Sequence, residues 1–378
     1  MKIGIITFHW ATNYGAVLQA YALQLFLTKL GHDVKIIDYV PGSYEKNFIK
    51  CFFTKRPWLI KKNILEFYKE RRFINFREKK FNLTDRYSSM QELKLKPPEC
   101  DVYICGSDQI WNPSFTAGGE GQTTTSYFLD FGNEKTRRIA YAVSFGCTEY
   151  LENIKRIVTP LLSKFNAISV REKTGCEIVR SMGFDNVSIM PDPTLLLSAK
   201  EYDENIDGSM CLDNPFSFFY VIHNHQCTIK RIEDYFRDKL SENIISTYRI
   251  RYSMIGINKW FSLVKDAKTI VTNSYHGIIF SIIYKKQFIA VPVEGALAGM
   301  NDRIFTLLEQ LGLQDRIVNN CEPSRITSLL SEPINWNYAE EKIQNLRIKA
   351  ELFIAENVRT NLIDEYQTKK HELLEVRV

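Results

Sequence analysis

The stretch KIGIITFHWATNYGAVLQAYALQLFLTKLGHDVKIIDYV, residues 2–40, decides the fold. Residues 2–8 form an apolar run, which is typical of a parallel strand buried on both faces. After a break at residues 13–15, residues 16–30 carry apolar side chains at helical spacing, and residues 34–40 again have the pattern of a strand. This order of strand, helix and strand predicts a right-handed crossover and a parallel sheet.

The same alternation of short buried strands and helices continues along the chain. We predict one Rossmann-like lobe over residues 1–199 and a second over residues 215–335, joined by the polar segment 200–214. Residues 336–378 are predicted to be helical and to pack back on the first lobe. The predicted fold class is therefore α/β, with two Rossmann-like lobes facing a cleft and a long C-terminal helical segment. Ligands of such sheets bind outside the carboxyl ends of the strands.

The net charge of +5 over 378 residues is concentrated in one segment. Residues 44–82 contain 12 basic and 4 acidic side chains together with ten aromatic rings, whereas the rest of the chain is slightly acidic. We interpret this segment as a helical insertion in the first lobe. A nucleic-acid-binding protein is not expected, because its basic side chains should recur across the domain. The mixture of aromatic and basic residues in 46–62 predicts a peripheral contact with an anionic membrane.

The sequence also bears on the cellular compartment. No run of 18 apolar residues is present, and the first residues lack the features of a signal peptide. None of the eight cysteines forms a C-x-x-C pair, so we expect buried thiols rather than disulfides or zinc ligands. We therefore expect a cytoplasmic protein, placed at the inner face of the membrane if the basic segment binds there. The oligomeric state is left open.

The densest set of polar side chains follows the predicted strand 101–105. GSDQIWNP, residues 106–113, brings a hydroxyl, a carboxylate, an amide and an indole into one loop. Ser107 or Asp108 could simply cap the next helix, but a cap requires neither Gln109 nor Trp111. We therefore expect a functional site in this loop, in which Asp108 acts as an acid or base or binds a sugar.

Two further charged residues follow predicted strands of the first lobe. Arg171 comes directly after the strand 167–170 and could clamp a carboxylate or phosphate, or simply pair with Glu172 at the surface. Asp192 lies between two prolines at the end of the lobe, where a rigid turn is the alternative interpretation.

The sharpest signal is TNSYHG, residues 272–277, between an apolar strand and an apolar helix. His276 stands at this junction with polar neighbours, which favours a catalytic or phosphate-binding role over a core histidine. Asn13 and Gly15 occupy a similar junction in the first lobe, where an anion site and a tight turn both remain open. G-x-G-x-x-G is absent, so NAD and FAD are not expected. His223 and His225 lack the partners of a metal site.

Together and in order, these motifs resemble those of the polysaccharide pyruvyl transferase family, over roughly residues 1–315. The matching segments are residues 13–16, 106–113, 169–172, 191–194, 272–277 and 301–304. The resemblance implies a GT-B-like fold and an enzyme without a cofactor. Phosphoenolpyruvate would be the donor, and pyruvate would be attached as a ketal across two hydroxyls of a capsular, exopolysaccharide or cell-wall sugar.

The resemblance implies donor-site roles for Arg171 and His276, and the residue types and the chemistry of the reaction lead us to predict the other roles. The catalytic residues would be His276 and Asp108, and no metal is expected. Donor binding would fall to Arg171, Arg303, Asn13, Gly15, Ser274, Tyr275 and Gly277. Acceptor binding would fall to Ser107, Gln109, Trp111 and Asp192. Some family members carry an arginine near the position of Tyr275, and Arg303 is the candidate replacement here.

Two alternatives remain open from the sequence. One is a GT-B glycosyltransferase that uses a nucleotide sugar. The other is a non-catalytic glycan-binding protein on the same fold.

Overall fold

The computed structural model describes residues 1–41, 60–116, 124–206, 214–222, 227–247 and 255–358. Of the predicted membrane segment 46–62, all but the last three residues lie outside these ranges, as do His223, His225 and residues 359–378. No helix among the described residues is both long and apolar enough to cross a membrane.

The first lobe is a parallel sheet of seven strands in the order β3-β2-β1-β4-β5-β6-β7. Its strands are β1 (Lys2–Ile6), β2 (Asp33–Tyr39), β3 (Leu83–Tyr87), β4 (Val102–Asp108), β5 (Arg137–Val143), β6 (Ala167–Val170) and β7 (Val187–Ile189). Its helices are α1 (Tyr14–Lys29), α2 (Ile60–Lys80), α3 (Met90–Leu95), α4 (Pro113–Thr116), α5 (Glu152–Leu162), α6 (Lys173–Ser181) and α7 (Ala199–Asn205).

The second lobe is a smaller parallel sheet of four strands in the order β11-β10-β8-β9. Its strands are β8 (Ser217–Tyr220), β9 (Ile244–Ser246), β10 (Thr269–Thr272) and β11 (Gln287–Ala290). The helices that follow along the chain are α8 (Cys227–Asp238), α9 (Ile257–Asp266), α10 (Tyr275–Ile283), α11 (Asp302–Leu311), α12 (Pro323–Ser331) and α13 (Trp336–Val358). The predicted α/β fold with two Rossmann-like lobes is confirmed.

Helix α1 shows how the sequence builds the contact between the lobes. Asn13 caps its start by accepting a hydrogen bond from the amide of Ala16 (3.2 Å), and Gly31 follows its end at φ 85°. Tyr14, in its first turn, stacks on Trp260 of α9 at 5.2 Å and donates a hydrogen bond to the carbonyl of Ile255 (2.7 Å). A single apolar core therefore continues from the first lobe into the second.

The C-terminal helix α13 returns to the first lobe. Arg347 donates hydrogen bonds to the carbonyls of Leu195 (2.7 Å) and Leu197 (2.9 Å), and Arg137 of β5 donates to the carbonyl of Asn357 (2.7 Å). This helix thus holds the segment after β7, which includes Asp192, against the sheet.

The described half of the basic segment is the amphipathic helix α2. Phe67, Phe73 and Phe76 are buried on one face, while Tyr68 is 52% exposed. The buried rings and the exposed lysines fit a core-facing helix with a solvated outer face.

Candidate functional site

The candidate site begins where β4 ends. Asp108 has a left-handed backbone (φ 73°), a conformation that aspartate tolerates better than most residues. Its Oδ1 accepts hydrogen bonds from the amide of Gln109 (2.9 Å) and from Nη2 of Arg171 (3.4 Å). The carboxylate is therefore held in one place at the carboxyl edge of the sheet, while 14% of its side chain stays exposed.

Arg171, directly after β6, binds the polar groups of two neighbouring chain segments. Its Nη1 donates to Asp192 Oδ2 at 2.8 Å and to Ser107 Oγ at 3.4 Å, and its side chain is fully buried. Ser107 Oγ also donates to Asp192 Oδ2 (2.9 Å), and Thr194 donates twice to Oδ1 of the same carboxylate. Asp192 is thus the centre of a buried network beneath the cleft.

The charges in this network stabilise one another. Burial alone would raise the pKa of Asp192, but His276 and Arg171 hold it well below its usual range. Burial also opposes the charge of Arg171, yet Asp192 and Asp108 outweigh that effect and raise the pKa of its guanidinium. Both groups therefore stay ionised although neither reaches solvent.

The second lobe contributes His276 from the first turn of α10. Ser274 caps this helix by accepting a hydrogen bond from the amide of Gly277 (3.3 Å). Nε2 of His276 lies 3.5 Å from Asp192 Oδ2 and makes no hydrogen bond with any described residue. The imidazole is only 6% exposed, so its position is set by its neighbours in both lobes.

Gly15 of α1 is one of those neighbours. A Cβ placed on Gly15 would lie 2.0 Å from Nδ1 and 2.5 Å from Cγ of His276. The imidazole therefore packs directly on the backbone of α1, and only glycine leaves room for it there.

Two arginines face the ring of Tyr275, next to His276. Cζ of Arg171 lies 4.7 Å from the ring centroid, and Cζ of Arg303, from the start of α11, lies 5.5 Å from it. Arg303 makes no hydrogen bond or salt bridge within the described ranges, and its Nε is buried. Burial and the nearby charge of Arg171 lower the pKa of Arg303 to about 10. Arg303 is therefore a cation whose charge is incompletely balanced by the protein.

Glu172 belongs to the same cluster, although its sequence pattern indicated only a surface partner for Arg171. It is fully buried, and its Oε1 accepts hydrogen bonds from Ser144 Oγ (2.8 Å) and from the amides of Phe145 (2.8 Å) and Gly146 (3.3 Å). Burial raises the pKa of Glu172, and Arg171 opposes that rise. Glu172 thus fixes the loop after β5 at the edge of the site. The position of Glu172 directly after Arg171 is the feature of the sequence that could have assigned it to the site.

Three predicted acceptor residues lie too deep to contact an acceptor. Trp111 is fully buried, stacks on Phe128 at 5.0 Å and donates from Nε1 to the carbonyl of Tyr127 (3.0 Å). Ser107 and Asp192 are also fully buried and bind each other. Burial in the core or in the ionic network leaves these three no free surface in this structure. Their acceptor role stays a prediction that the observed burial does not support.

The remaining predicted residues differ in their surroundings. Asn13 and Gln109 line, with Asp108, a pocket of about 290 Å³. Arg171 is fully buried in the ionic network, and the donor contact predicted for it stays a prediction. The amide of Gly277 is used by the Ser274 cap, and a Cβ at Gly277 would lie 2.5 Å from Thr272 Oγ1, so this glycine serves helix packing.

The structure thus brings Asp108, Arg171, Asp192, His276 and Arg303 together from both lobes. Their roles stay predictions. Within the described ranges, no three His, Cys, Asp or Glu side chains are placed to hold one metal ion.

Solved structures share the two-lobed architecture. A UDP-N-acetylglucosamine 2-epimerase described as putative, from Listeria monocytogenes, is 8% identical, with a TM-score of 0.51 over 95% of this chain and 97% of that one. The UDP-GlcNAc 2-epimerase from Neisseria meningitidis, solved with UDP-GlcNAc, is 11% identical, with a TM-score of 0.49 over 96% of this chain and 100% of that one. At 8% identity the likeness to the Listeria structure concerns the fold alone. No curated protein matches the chain in sequence.

The family comparison is more specific. Residues 13–295 match the family described as Polysaccharide pyruvyl transferase. The match begins at the cap of α1, covers most of both lobes and includes Asp108, Arg171, Asp192 and His276. The chain belongs to the polysaccharide pyruvyl transferase family and is a transferase that acts in polysaccharide pyruvylation.

Proposed function

We propose that this enzyme transfers pyruvate from phosphoenolpyruvate to a sugar of a cell-surface polysaccharide or of its lipid-linked precursor, with a pyruvate ketal as the product. The proposal extends the family membership to a particular donor and a particular bond. No further cofactor is needed, since the donor itself carries the activated group.

Arg303 is the observation that supports this donor best. Phosphoenolpyruvate carries a phosphate and a carboxylate, and such a ligand needs cationic donors together with helix N-termini. Arg303 is a partly buried guanidinium without a hydrogen bond or ion pair in the described part of the chain. Its Cζ lies 5.5 Å from the ring centroid of Tyr275, which precedes His276 at the start of α10. A bound phosphate would supply the charge that Arg303 lacks.

The reaction requires a defined set of proton transfers. A proton is added to C3 of the enol, and one sugar hydroxyl attacks C2 while losing its proton to a base. The second hydroxyl then forms the other C2–O bond as phosphate leaves, and its proton ends on the phosphate. The products are one ketal and one inorganic phosphate.

Asp108 and His276 are the proposed acid–base pair. Asp108 is partly exposed at the pocket of about 290 Å³, so it can reach an acceptor hydroxyl. His276 faces Asp192 with Nε2 at 3.5 Å, and this contact orients the imidazole in the site. Arg171 and Asp192 are assigned as positioning residues, since they hold Asp108 and His276 without a surface of their own.

Donor binding can be tested by thermal shift before any acceptor is known. Phosphoenolpyruvate should raise the melting temperature of the wild-type protein, whereas UDP-sugars and GDP-sugars should not. Arg303→Met should remove most of the shift. Arg156→Met, on the exposed face of α5, is the matched control and should retain it. A shift with a nucleotide sugar and none with phosphoenolpyruvate would favour a glycosyltransferase.

We also propose that the enzyme works in the cytoplasm, at the inner face of the membrane, through residues 46–62. An acceptor carried on a polyprenyl diphosphate would place the reaction there. Binding to anionic liposomes should exceed binding to neutral ones. Equal partitioning onto both would remove this part of the proposal.

A further inference from the structure

A second pocket lies beside the candidate site, and we call it the outer pocket. It has a volume of about 510 Å³ and is bounded by the loop after β1, by strands β2 and β3 and by helix α2. Trp10 and Ala11 line both the outer pocket and the pocket that contains Asp108. The two pockets are therefore neighbouring parts of one groove along the first lobe.

Trp10 forms a fixed wall between them. Its Nε1 donates a hydrogen bond to Tyr127 Oη at 3.2 Å, and its carbonyl accepts one from Arg77 of α2. Its ring packs edge-on to Phe8 and remains partly exposed. A fixed, partly exposed indole suits the apolar face of a sugar ring, because it offers contact area at a small entropic cost.

Among the described residues, the polar lining of the outer pocket contains balanced charges. Three arginines (Arg71, Arg77 and Arg86) and three carboxylates (Asp38, Glu70 and Glu78) contribute to it. Asp38 lies 3.0 Å from His9 Nε2 with one oxygen and 3.0 Å from Arg86 Nε with the other. A wall of this kind offers both hydrogen-bond donors and acceptors. Sugar hydroxyls need both, whereas a diphosphate or a carboxylate needs donors alone.

We propose that the outer pocket binds a second sugar unit of the acceptor glycan, one that does not receive the pyruvate. The inference rests on the proposed function, because it takes the pocket at Asp108 as the place of transfer. The acceptor is then an oligosaccharide that lies along Trp10, and the enzyme selects it by chain length as well as by the terminal sugar.

Binding of the full chain to a printed array of mono- to pentasaccharides tests this without a donor. For glycans that bind, the oligosaccharide should bind about three- to tenfold more strongly than its terminal monosaccharide. Trp10→Ala should remove this preference, while Trp10→Phe, which keeps an aromatic face, should retain most of it.

A second variant, at Arg71, tests the proposal even if Trp10→Ala does not fold. Arg71 is exposed, and its one described contact is with the Phe67 ring at 5.1 Å. Arg71→Ala should therefore fold normally and weaken oligosaccharide binding alone, whereas Arg156→Ala on α5 should leave all binding unchanged. Equal binding of short and long glycans, or equal losses in both arginine variants, would overturn the proposal.

The array also separates this inference from the proposed donor. Suppose that the preference for longer glycans depends on Trp10 but that phosphoenolpyruvate gives no transfer to the preferred glycan. The proposed glycan binding in the outer pocket then holds, and the proposed donor is wrong. If pyruvate is transferred equally well to single sugars and to oligosaccharides, the proposed donor is correct and the proposed role of the outer pocket is wrong.

Discussion

The contact between Gly15 and His276 allows a quantitative test of the site. In Gly15→Ala, the new Cβ would lie 2.0 Å from Nδ1 of His276, whereas non-bonded atoms of this size rest about 3.5 Å apart. The imidazole, or the lobe that carries it, must therefore move by roughly 1.5 Å. A displacement of about 1 Å in a catalytic group can cost about a hundredfold in rate. We expect kcat to fall by at least that factor.

The fold itself should survive this substitution. Alanine is more favourable than glycine in a helix by about 1 kcal/mol, and Gly15 does not have a positive φ. Phosphate release in the presence of phosphoenolpyruvate and a glycan acceptor measures the rate, and circular dichroism measures the fold. Gly299→Ala is the matched control, because its Cβ would meet the nearest atoms at an ordinary 3.5 Å. A Gly15→Ala enzyme within threefold of wild type would refute the placement of His276 at the reaction.

Further predictions concern the ionic network and the core. Arg171→Gln leaves Asp192 buried without its ion pair, so the free energy of unfolding in urea should fall by about 3–5 kcal/mol. Because the pKa of Asp192 is lowered by folding, stability should decrease as the pH falls below about 4, and Asp192→Asn should flatten that part of the profile. Arg303→Met should raise the free energy of unfolding by about 1 kcal/mol, since burial next to Arg171 opposes its charge; a loss of stability would contradict this. Trp111→Ala should lower the free energy of unfolding by about 3–5 kcal/mol through a core cavity. Reduced glycan binding by Trp111→Ala at unchanged stability would instead support the predicted acceptor role.

The fold could largely be predicted because its central strands are buried on both faces. Such strands appear as short apolar runs, and the apolar strand predicted at the start of TNSYHG is β10, Thr269–Thr272. Strand β3 was missed because it lies at the sheet edge, and its sequence Leu83–Tyr87 includes two exposed charged residues. Helix propensity and spacing located α1, but not the role of Tyr14 in joining the lobes.

The position of the site was predictable for a similar reason, since the carboxyl ends of parallel strands meet at one edge. Sequence spacing gives the strand end at which a residue lies, but not the direction of its side chain. Trp111 turns into the core because Phe128, distant in sequence, completes a stacked pair there. Arg171 likewise turns inward because Asp192 is held beneath it.

The chemistry of the product tests the central claim most directly. Incubation of the enzyme with phosphoenolpyruvate and a glycan bound on the array should release inorganic phosphate. Mass spectrometry should then show an equal amount of glycan with an added mass of one pyruvate less one water, and His276→Ala should lower both signals by at least about a hundredfold. Glycan extended by a sugar from a nucleotide donor, with no phosphate released from phosphoenolpyruvate, would contradict the account.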